Sequence, residues 1–346
     1  FGANLAYSRI QSQGITTNSE YGSPLGSALA FSPILGIYEE DEDAVFERYA
    51  NVTNFSPVRD KNNGRIYTIA GSDYNEIVNP LAALTLPGEK GNADKFIANF
   101  WGELTIWDNL KFRSSFGTDL AFWGTDGWTP VYYLGQSNKA EKSSVWSEMN
   151  RSLVWQLENT LSYDKAIGLH NVTVLLGQSA KKTNGRQLGG SNYYMVEENP
   201  NKANINFTTG TAANGDMSVY GGATNPHALA SYFARLSYNY AERYMFQATI
   251  RRDGSSRFGT NNPWATFPSF SLGWNIMNEE FAQNRPDWLN STKLRFSWGK
   301  NGNENLDDFR YVALTQTGNN YFFGTGDAIR LLNGTKPNGL ANRDLR

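Results

Sequence analysis

Side chains able to do acid–base, nucleophilic or metal chemistry are few, and their spacing is wrong for it. The only histidines are His170 and His227, and cysteine is absent. That excludes a multi-histidine metal centre, a thiolate site and a disulfide framework. No HExxH, CxxC, P-loop or G-x-S-x-G nucleophile elbow occurs. Carboxylates are numerous, but no pair stands out as acid and base. The run Glu39-Glu40-Asp41-Glu42-Asp43 has the clustered oxygens that a hard cation such as Ca2+ takes. It lacks the spaced Asp-x-Asp-x-Asp-Gly pattern, so a solvated external loop is expected there, and the same holds for Asn301 to Asp308. Asn-x-Ser/Thr matches at Asn171 and Asn206 are ordinary in an Asn-rich chain. Neither an enzyme nor a cofactor is expected. One dense cluster remains, Asp253-Gly254-Ser255-Ser256-Arg257-Phe258-Gly259. Its two glycines permit tight turns, and Arg257 has Asp253 or a neighbouring loop as partner, which predicts a segment that pins the fold. The competing reading makes it part of a substrate path or a partner contact.

The elements that must carry these residues are strands. The 346-residue chain has a net charge of −2, so no basic field points to nucleic acid. No apolar run reaches the 18 residues or so that a membrane-spanning helix needs. Mean hydropathy is negative, which does not exclude a transmembrane barrel, because only alternate residues of each strand meet lipid. A two-residue period dominates. Over 110–122, Leu110, Phe112, Phe116, Leu120 and Phe122 alternate with Lys111, Arg113, Ser115 and Asp119. Segments 153–163, 230–240 and 293–299 alternate likewise, and further strands are predicted near 1–10, 95–107, 170–178, 243–252, 267–276 and 309–316. Short turns at 108–109, 165–168 and 241–242 alternate with long polar connections at 123–150, 179–228 and 253–266.

This is the up-and-down pattern of an outer-membrane barrel with short periplasmic turns and long external loops. The predicted fold is therefore all-β, part of a large antiparallel transmembrane β-barrel. The alternative is a soluble β-rich carbohydrate-binding or adhesin domain, which would hide its apolar face in a core. In the barrel reading, Lys111, Arg113, Asp119, Glu158, Arg235 and Arg295 are candidate lumen-facing residues. Trp123, Trp128, Tyr132, Tyr133, Tyr193 and Tyr194 are candidate ligand-contacting loop aromatics. Trp155, Tyr163, Tyr238, Tyr240, Tyr244, Trp274 and Trp298 lie on the apolar faces, several near strand ends, as interfacial rings do.

The stretch Ala230 to Phe281 carries the DGSSRFG block, then Asn262 with Trp264, Phe267-Pro268-Ser269, Gly273-Trp274 and Glu280-Phe281. It resembles the most characteristic block of the SusC/RagA-type TonB-linked outer-membrane transporters, although Pro263 separates an Asn–aromatic pair that the family more often keeps adjacent. Asn79-Pro80-Leu81, Glu158-Asn159-Thr160-Leu161 with Tyr163 and His170-Asn171, Leu294 to Gly299 with Gly302-Asn303, and Gly339-Leu340-Ala341-Asn342 resemble further family segments. Arg343 stands where Pro is usual in the last of these. The resemblance implies a 22-stranded barrel with an N-terminal plug, importing an oligosaccharide or peptide across the outer membrane of a Gram-negative, Bacteroidota-type bacterium. The implied partners are a SusD-like surface lipoprotein as lid, the TonB/ExbB/ExbD energy-coupling complex acting through the plug, and outer-membrane lipid. A dimer of transporter–lid pairs is a further expectation. The chain opens at Phe1 in apparent mid-strand and stops at Arg346. It is therefore expected to be an internal barrel fragment over 1–346, without plug, TonB box or closing strand.

Overall fold

The computed structural model describes residues 1–15, 23–259, 261–282, 286, 288–289, 291–326, 329–339 and 341–345. Thr260, Leu340 and Arg346, which fall in segments singled out above, lie outside the described residues. Thirteen strands are present among the described residues: β1 (Gly2–Gln13), β2 (Lys90–Trp107), β3 (Leu110–Thr129), β4 (Tyr132–Gly135), β5 (Asn138–Ala140), β6 (Ser144–Ile167), β7 (His170–Tyr193), β8 (Ser218–Tyr240), β9 (Tyr244–Ser255), β10 (Trp264–Asn275), β11 (Lys293–Gly299), β12 (Thr315–Phe323) and β13 (Arg330–Pro337). Nine of them form one sheet in the order β1-β2-β3-β6-β7-β8-β9-β10-β11, and β4–β5 and β12–β13 are separate hairpins. Every pairing in the large sheet is antiparallel.

Register carries one apolar face across the sheet. Leu110, Phe112, Phe116 and Leu120 of β3 lie opposite Tyr163, Leu161, Leu157 and Leu153 of β6. The face continues through Val172, Val174 and Leu176 of β7, opposite Tyr238, Leu236 and Ala234 of β8. Phe246, Ala248 and Ile250 of β9 carry it on to Leu272, Phe270 and Pro268 of β10. A soluble sandwich would bury such a face. Here it stays open: Leu176 is 50% exposed, Ile250 52% and Phe296 57%. A continuous apolar face with no protein layer over it has lipid as its fitting neighbour.

β6 and β7 have 24 residues each. Only about 9–11 tilted residues are needed to cross a hydrocarbon core. The extra length lies at one end, where β3 runs on to Thr129, β6 starts at Ser144, β7 reaches Tyr193 and β8 begins at Ser218. The predicted loops 123–150 and 179–228 are thus largely strand, and the actual connections shrink to 130–143 and 194–217. Above the apolar band the contrast between the faces is lost, the outward one mixing Asp126, Arg151 and Arg186 with Met149, Leu188 and Trp128, so the period persists in the backbone but not in the composition. The predicted strand at 309–316 is also corrected: Phe309 has φ +64°, the Val312 N–H donates to the Phe309 carbonyl at 2.9 Å, and the strand begins only at Thr315.

Residues 23–89 precede β2 at the same end and hold most of the buried apolar residues among the described ones. Among the described residues three short helices form there, α1 (Pro24–Ala30), α2 (Glu42–Arg48) and α3 (Pro80–Thr85). Each is capped by a side chain: Ser23 Oγ accepts from Gly26 N, Asp41 Oδ1 from Ala44 N and Asn79 Oδ1 from Leu81 N, all at 3.1 Å. The acidic run 39–43 therefore leads into a helix instead of lying wholly in a loop, while Glu40, Asp41 and Asp43 stay solvent-exposed. Asp41 is its cap, Glu42 and Asp43 fill the first turn, and Glu42 makes a two-point contact with Arg59 at 3.0 and 2.9 Å. Val45, Ile66 and Ile69 pack with Tyr133, while Tyr67, Val78 and Ala82 pack with Leu134, so the β4–β5 hairpin completes this core. Asp60 braces it by accepting from the Tyr38 hydroxyl at 2.5 Å and the Asn62 N–H at 2.8 Å, and these bonds hold its carboxyl below the usual range.

At the opposite end the turns are tight. The β8–β9 turn places Ala241 and Glu242 at φ +51° and +56°, the conformation in which Asn-Gly is favoured. Two non-glycine residues there cost about 1 kcal/mol each. Ala241→Asn combined with Glu242→Gly is expected to raise the temperature at which the barrel loses its compact, fast-migrating form on electrophoresis. A lowered temperature would show that this turn is not strained.

Candidate functional site

The opposite face of the sheet is polar and gathers all six candidate lumen residues. Lys111, Arg113 and Asp119 of β3 sit opposite Ser162, Thr160 and Val154 of β6, on the same face as Glu158, which lies opposite Ser115. Carried on through β7 and β8, the register puts Arg235 there, and through β9 and β10 it does the same for Arg295, opposite Gly273. Lys95 Nζ is 2.9 Å from Asp119 Oδ2, Lys111 Nζ is 3.8 Å from Glu103 Oε1, and the Arg113 guanidinium lies 4.4 Å from the Trp101 ring centre. All are solvated pairs, each worth well under 1 kcal/mol.

The six candidate loop aromatics separate. Trp123 and Trp128 are not in a loop: both lie in β3, because that strand outruns the apolar band. Trp123 lies on the polar face opposite Asn150, whereas Trp128 lies on the opposite face against Val145. Tyr133 is 5% exposed, with its ring 5.1 and 5.2 Å from those of Tyr49 and Phe55, so it is a core residue and not a ligand contact. Tyr132 is half-buried and donates to Asn138 Oδ1 at 2.8 Å. Tyr193 and Tyr194 flank Lys142, whose Nζ lies 5.7 and 4.9 Å from their ring centres and 3.2 Å from Asp216 Oδ1. The Tyr194 hydroxyl and the Asp216 carboxylate raise the Lys142 pKa, so its charge is secure.

Around Trp123 the polar face carries a network that periodicity did not reveal. Glu148 of β6 accepts from Asn150 Nδ2 at 2.6 Å, from Gln187 Nε2 at 2.7 Å and from the Tyr220 hydroxyl at 2.6 Å. Asn150 lies between Trp123 and Gln187 in register, and Glu148 lies between Thr125 and Gly189. Gly189 is required: a Cβ there would come within 2.5 Å of the Tyr220 ring, which lies across the glycine to reach Glu148. Trp123 and Tyr220 stay 41% and 46% exposed, so two partly open aromatic rings share this face with a fixed carboxylate. Such a surface can stack on a flat apolar face and accept hydrogen bonds beside it. Among the described residues no group of three or more His, Asp or Glu side chains converges as a metal site.

The DGSSRFG segment is a clasp. Asp253 and Ser255 close β9, with Asp253 accepting from Arg251 Nε at 2.7 Å, while the Ser256 N–H and Oγ bond back to Ala228. Arg257 turns away from Asp253. It donates to Asp308 Oδ1 at 3.1 Å and to the Glu304 carbonyl at 3.0 Å, tying the 301–308 loop down. Gly259 packs against the Arg343 carbonyl, where a Cβ would approach to 2.9 Å.

An exposed apolar face, a wet opposite face and strands that continue past the membrane at one end define the wall of an outer-membrane-type barrel. No family model matches the chain. The TonB-dependent receptor SusC of Bacteroides thetaiotaomicron is 30% identical over 314 residues, covering 88% of this chain and 29% of that receptor. Two TonB-dependent receptors of Formosa agariphila are 36% identical over 267 residues (70% of this chain, 24% of the receptor) and 29% identical over 314 residues (90% and 28%). Among solved structures, a RagAB peptide transporter superposes with TM-score 0.66 at 21% identity over 82% of this chain and 30% of its own. A RagAB peptide importer in the closed-closed state gives 0.63 at 22% over 75% and 27%. The chain belongs to the SusC-like TonB-dependent receptor family, and its large sheet is part of the family's antiparallel β-barrel. It spans less than a third of the length of the curated relatives it matches.

Arg257→Ala removes charge-assisted bonds from a largely buried pair, a loss of roughly 1–3 kcal/mol. The expected outcome is selective proteolytic cleavage within 301–308 while the strands stay protected. Uniform protection in that variant would contradict the clasp.

Proposed function

We propose that this chain forms part of the wall of an importer that carries a large nutrient, an oligosaccharide or a peptide, across the outer membrane of a Bacteroidota-type bacterium. The single observation that carries the reading is the polar wall above the apolar band. Trp123 lies beside a carboxylate fixed by Asn150, Gln187 and Tyr220, on the polar face of the sheet. Transport needs contacts that are many and weak, so that a ligand advances from one to the next. A ring face and a solvated acceptor supply this without trapping the cargo.

The chemistry offered is binding and not catalysis. The partners follow from the family: a SusD-like lipoprotein as lid over the external mouth, and the TonB/ExbB/ExbD complex acting through a plug. The packed external unit formed by 23–89 and the β4–β5 hairpin gives a lid something firm to meet. Dimers of transporter–lid pairs fit the same arrangement.

Uptake of fluorescent oligosaccharides and peptides by cells carrying the whole receptor tests this. Uptake should vanish when TonB is absent. Trp123→Ala or Glu148→Ala should lower it on the order of tenfold, the equivalent of about 1.4 kcal/mol of contact. Undiminished uptake without TonB would overturn the import reading, and unchanged uptake in both variants would remove this wall from the path.

A further inference from the structure

The two ends of the apolar face finish differently. At the lower end it closes in rings: Tyr163 of β6, Tyr238 and Tyr240 of β8, Tyr244 of β9 and Trp274 of β10, with Lys165 just beyond them. At the upper end the apolar run of four strands, β1, β6, β7 and β9, stops at a cation, whereas β2 ends at Asp94 and β3 runs on to Asp126. Tyr7 is followed on the same face by Arg9, Leu153 is preceded by Arg151, Ala180 is followed by Lys182, and Ile250 by Arg252.

Two of these upper cations have partners. Arg9 Nε lies 3.9 Å from Asp94 Oδ1, and the Arg252 guanidinium lies 5.6 Å from the Trp264 ring centre. On β6 and β7 the situation is different. Arg151 stands directly opposite Arg186, and Lys182 points from the same face opposite Trp155. All three are exposed, and no described carboxylate pairs with any of them. The outward carboxylate on β3, Asp126, lies above Phe122 in register and is engaged by the Ser147 hydroxyl at 2.6 Å. Like charges directly opposite one another across a strand pair are destabilising. Here Leu153 and Asn184 lie below the pair and Met149 and Leu188 above it, so no neighbouring row on these two strands supplies a carboxylate to separate the guanidinia.

We infer that Arg151 and Arg186, with Lys182, form a binding site for the phosphate of a lipid headgroup in the outer leaflet. The inference rests on the barrel reading of the sheet. Directly opposed residues have Cβ atoms about 4.5–5.5 Å apart, so two planar guanidinia reach one phosphate and convert repulsion into a shared counter-ion. The acyl chains then lie along Trp155, Leu157 and Leu176 beneath it. The occupant is a phosphorylated glycolipid of the lipid A type, whose headgroup lies at the height where the apolar run ends.

The test uses the whole receptor in phosphatidylcholine nanodiscs, alone, with monophosphoryl lipid A, or with its dephosphorylated form, reading the thermal unfolding midpoint. The phosphorylated lipid should raise the midpoint by a few degrees and the dephosphorylated form should not. R151Q/R186Q should lose that rise while unfolding in plain phosphatidylcholine no earlier than the parent. If the double variant does not fold, the single variant Arg186→Gln read by native mass spectrometry should retain less phosphorylated lipid. An equal rise or equal retention in the variants overturns the site. The same rise with inorganic phosphate alone overturns the lipid as occupant. Failure to enter nanodiscs at all removes the barrel reading, and this inference with it.

Discussion

A strand in hydrocarbon has no water to satisfy its N–H and C=O groups, so every one must bond to a neighbouring strand. The rest of this structure follows from that constraint. It forces the antiparallel ladder that runs from β1 to β11, broken only locally by register shifts at 105–107 and 183–185, and the ladder fixes register. Register then sorts side chains with a period of two, and a slip of one residue would turn Leu153, Leu157 and Leu161 into the aqueous interior. Phe112 and Arg113 are neighbours in sequence but face lipid and water respectively, because no other arrangement satisfies both backbone and side chains.

The same constraint lapses where the strands leave the membrane, and the chain uses the freedom for different ends. The upper parts of β6, β7 and β8 keep the ladder but change what it displays, turning it into a scaffold for Glu148, Gln187 and Tyr220. Rigid strands hold these groups more firmly than a loop would, and Gly189 lets the tyrosine lie flat enough to reach the carboxylate. Residues 23–89, without strand neighbours of their own, bury a conventional core instead. Clasps tie the loops to the wall: Arg257 to the 301–308 loop, and Lys142 between Tyr194 and Asp216.

The fold was legible in the sequence wherever the two faces differed in polarity. Between Leu110 and Phe122 the contrast is strong, and the candidate lumen residues drawn from such segments all fall on one face. Above Phe122 the contrast disappears, which is why 123–150 resembled a loop and why Glu148, Asn150, Gln187 and Tyr220 were not singled out. Extending the parity of β3 by one residue past Phe122 would have placed Trp123 on the polar face. The helices were missed because six or seven residues are too few to show a helical period. Their caps were visible, however: Ser23-Pro24 and Asn79-Pro80 pair a capping side chain with a proline at the first helical position. Tyr133 could not be told from a binding aromatic, since a ring filling a core and a ring awaiting a ligand have the same composition around them.

The central claim is that one face of the large sheet meets lipid and the other meets water. The chain contains no cysteine, so single cysteines can report each face without background from this segment. In the membrane-embedded receptor, Phe116→Cys and Leu157→Cys should react only with a bilayer-dissolved maleimide. Ser115→Cys and Gln156→Cys, their immediate neighbours, should react with a membrane-impermeant one supplied in water. If Phe116→Cys and Leu157→Cys react as readily with the water-soluble reagent as their neighbours do, the sheet is not a membrane wall and the account fails.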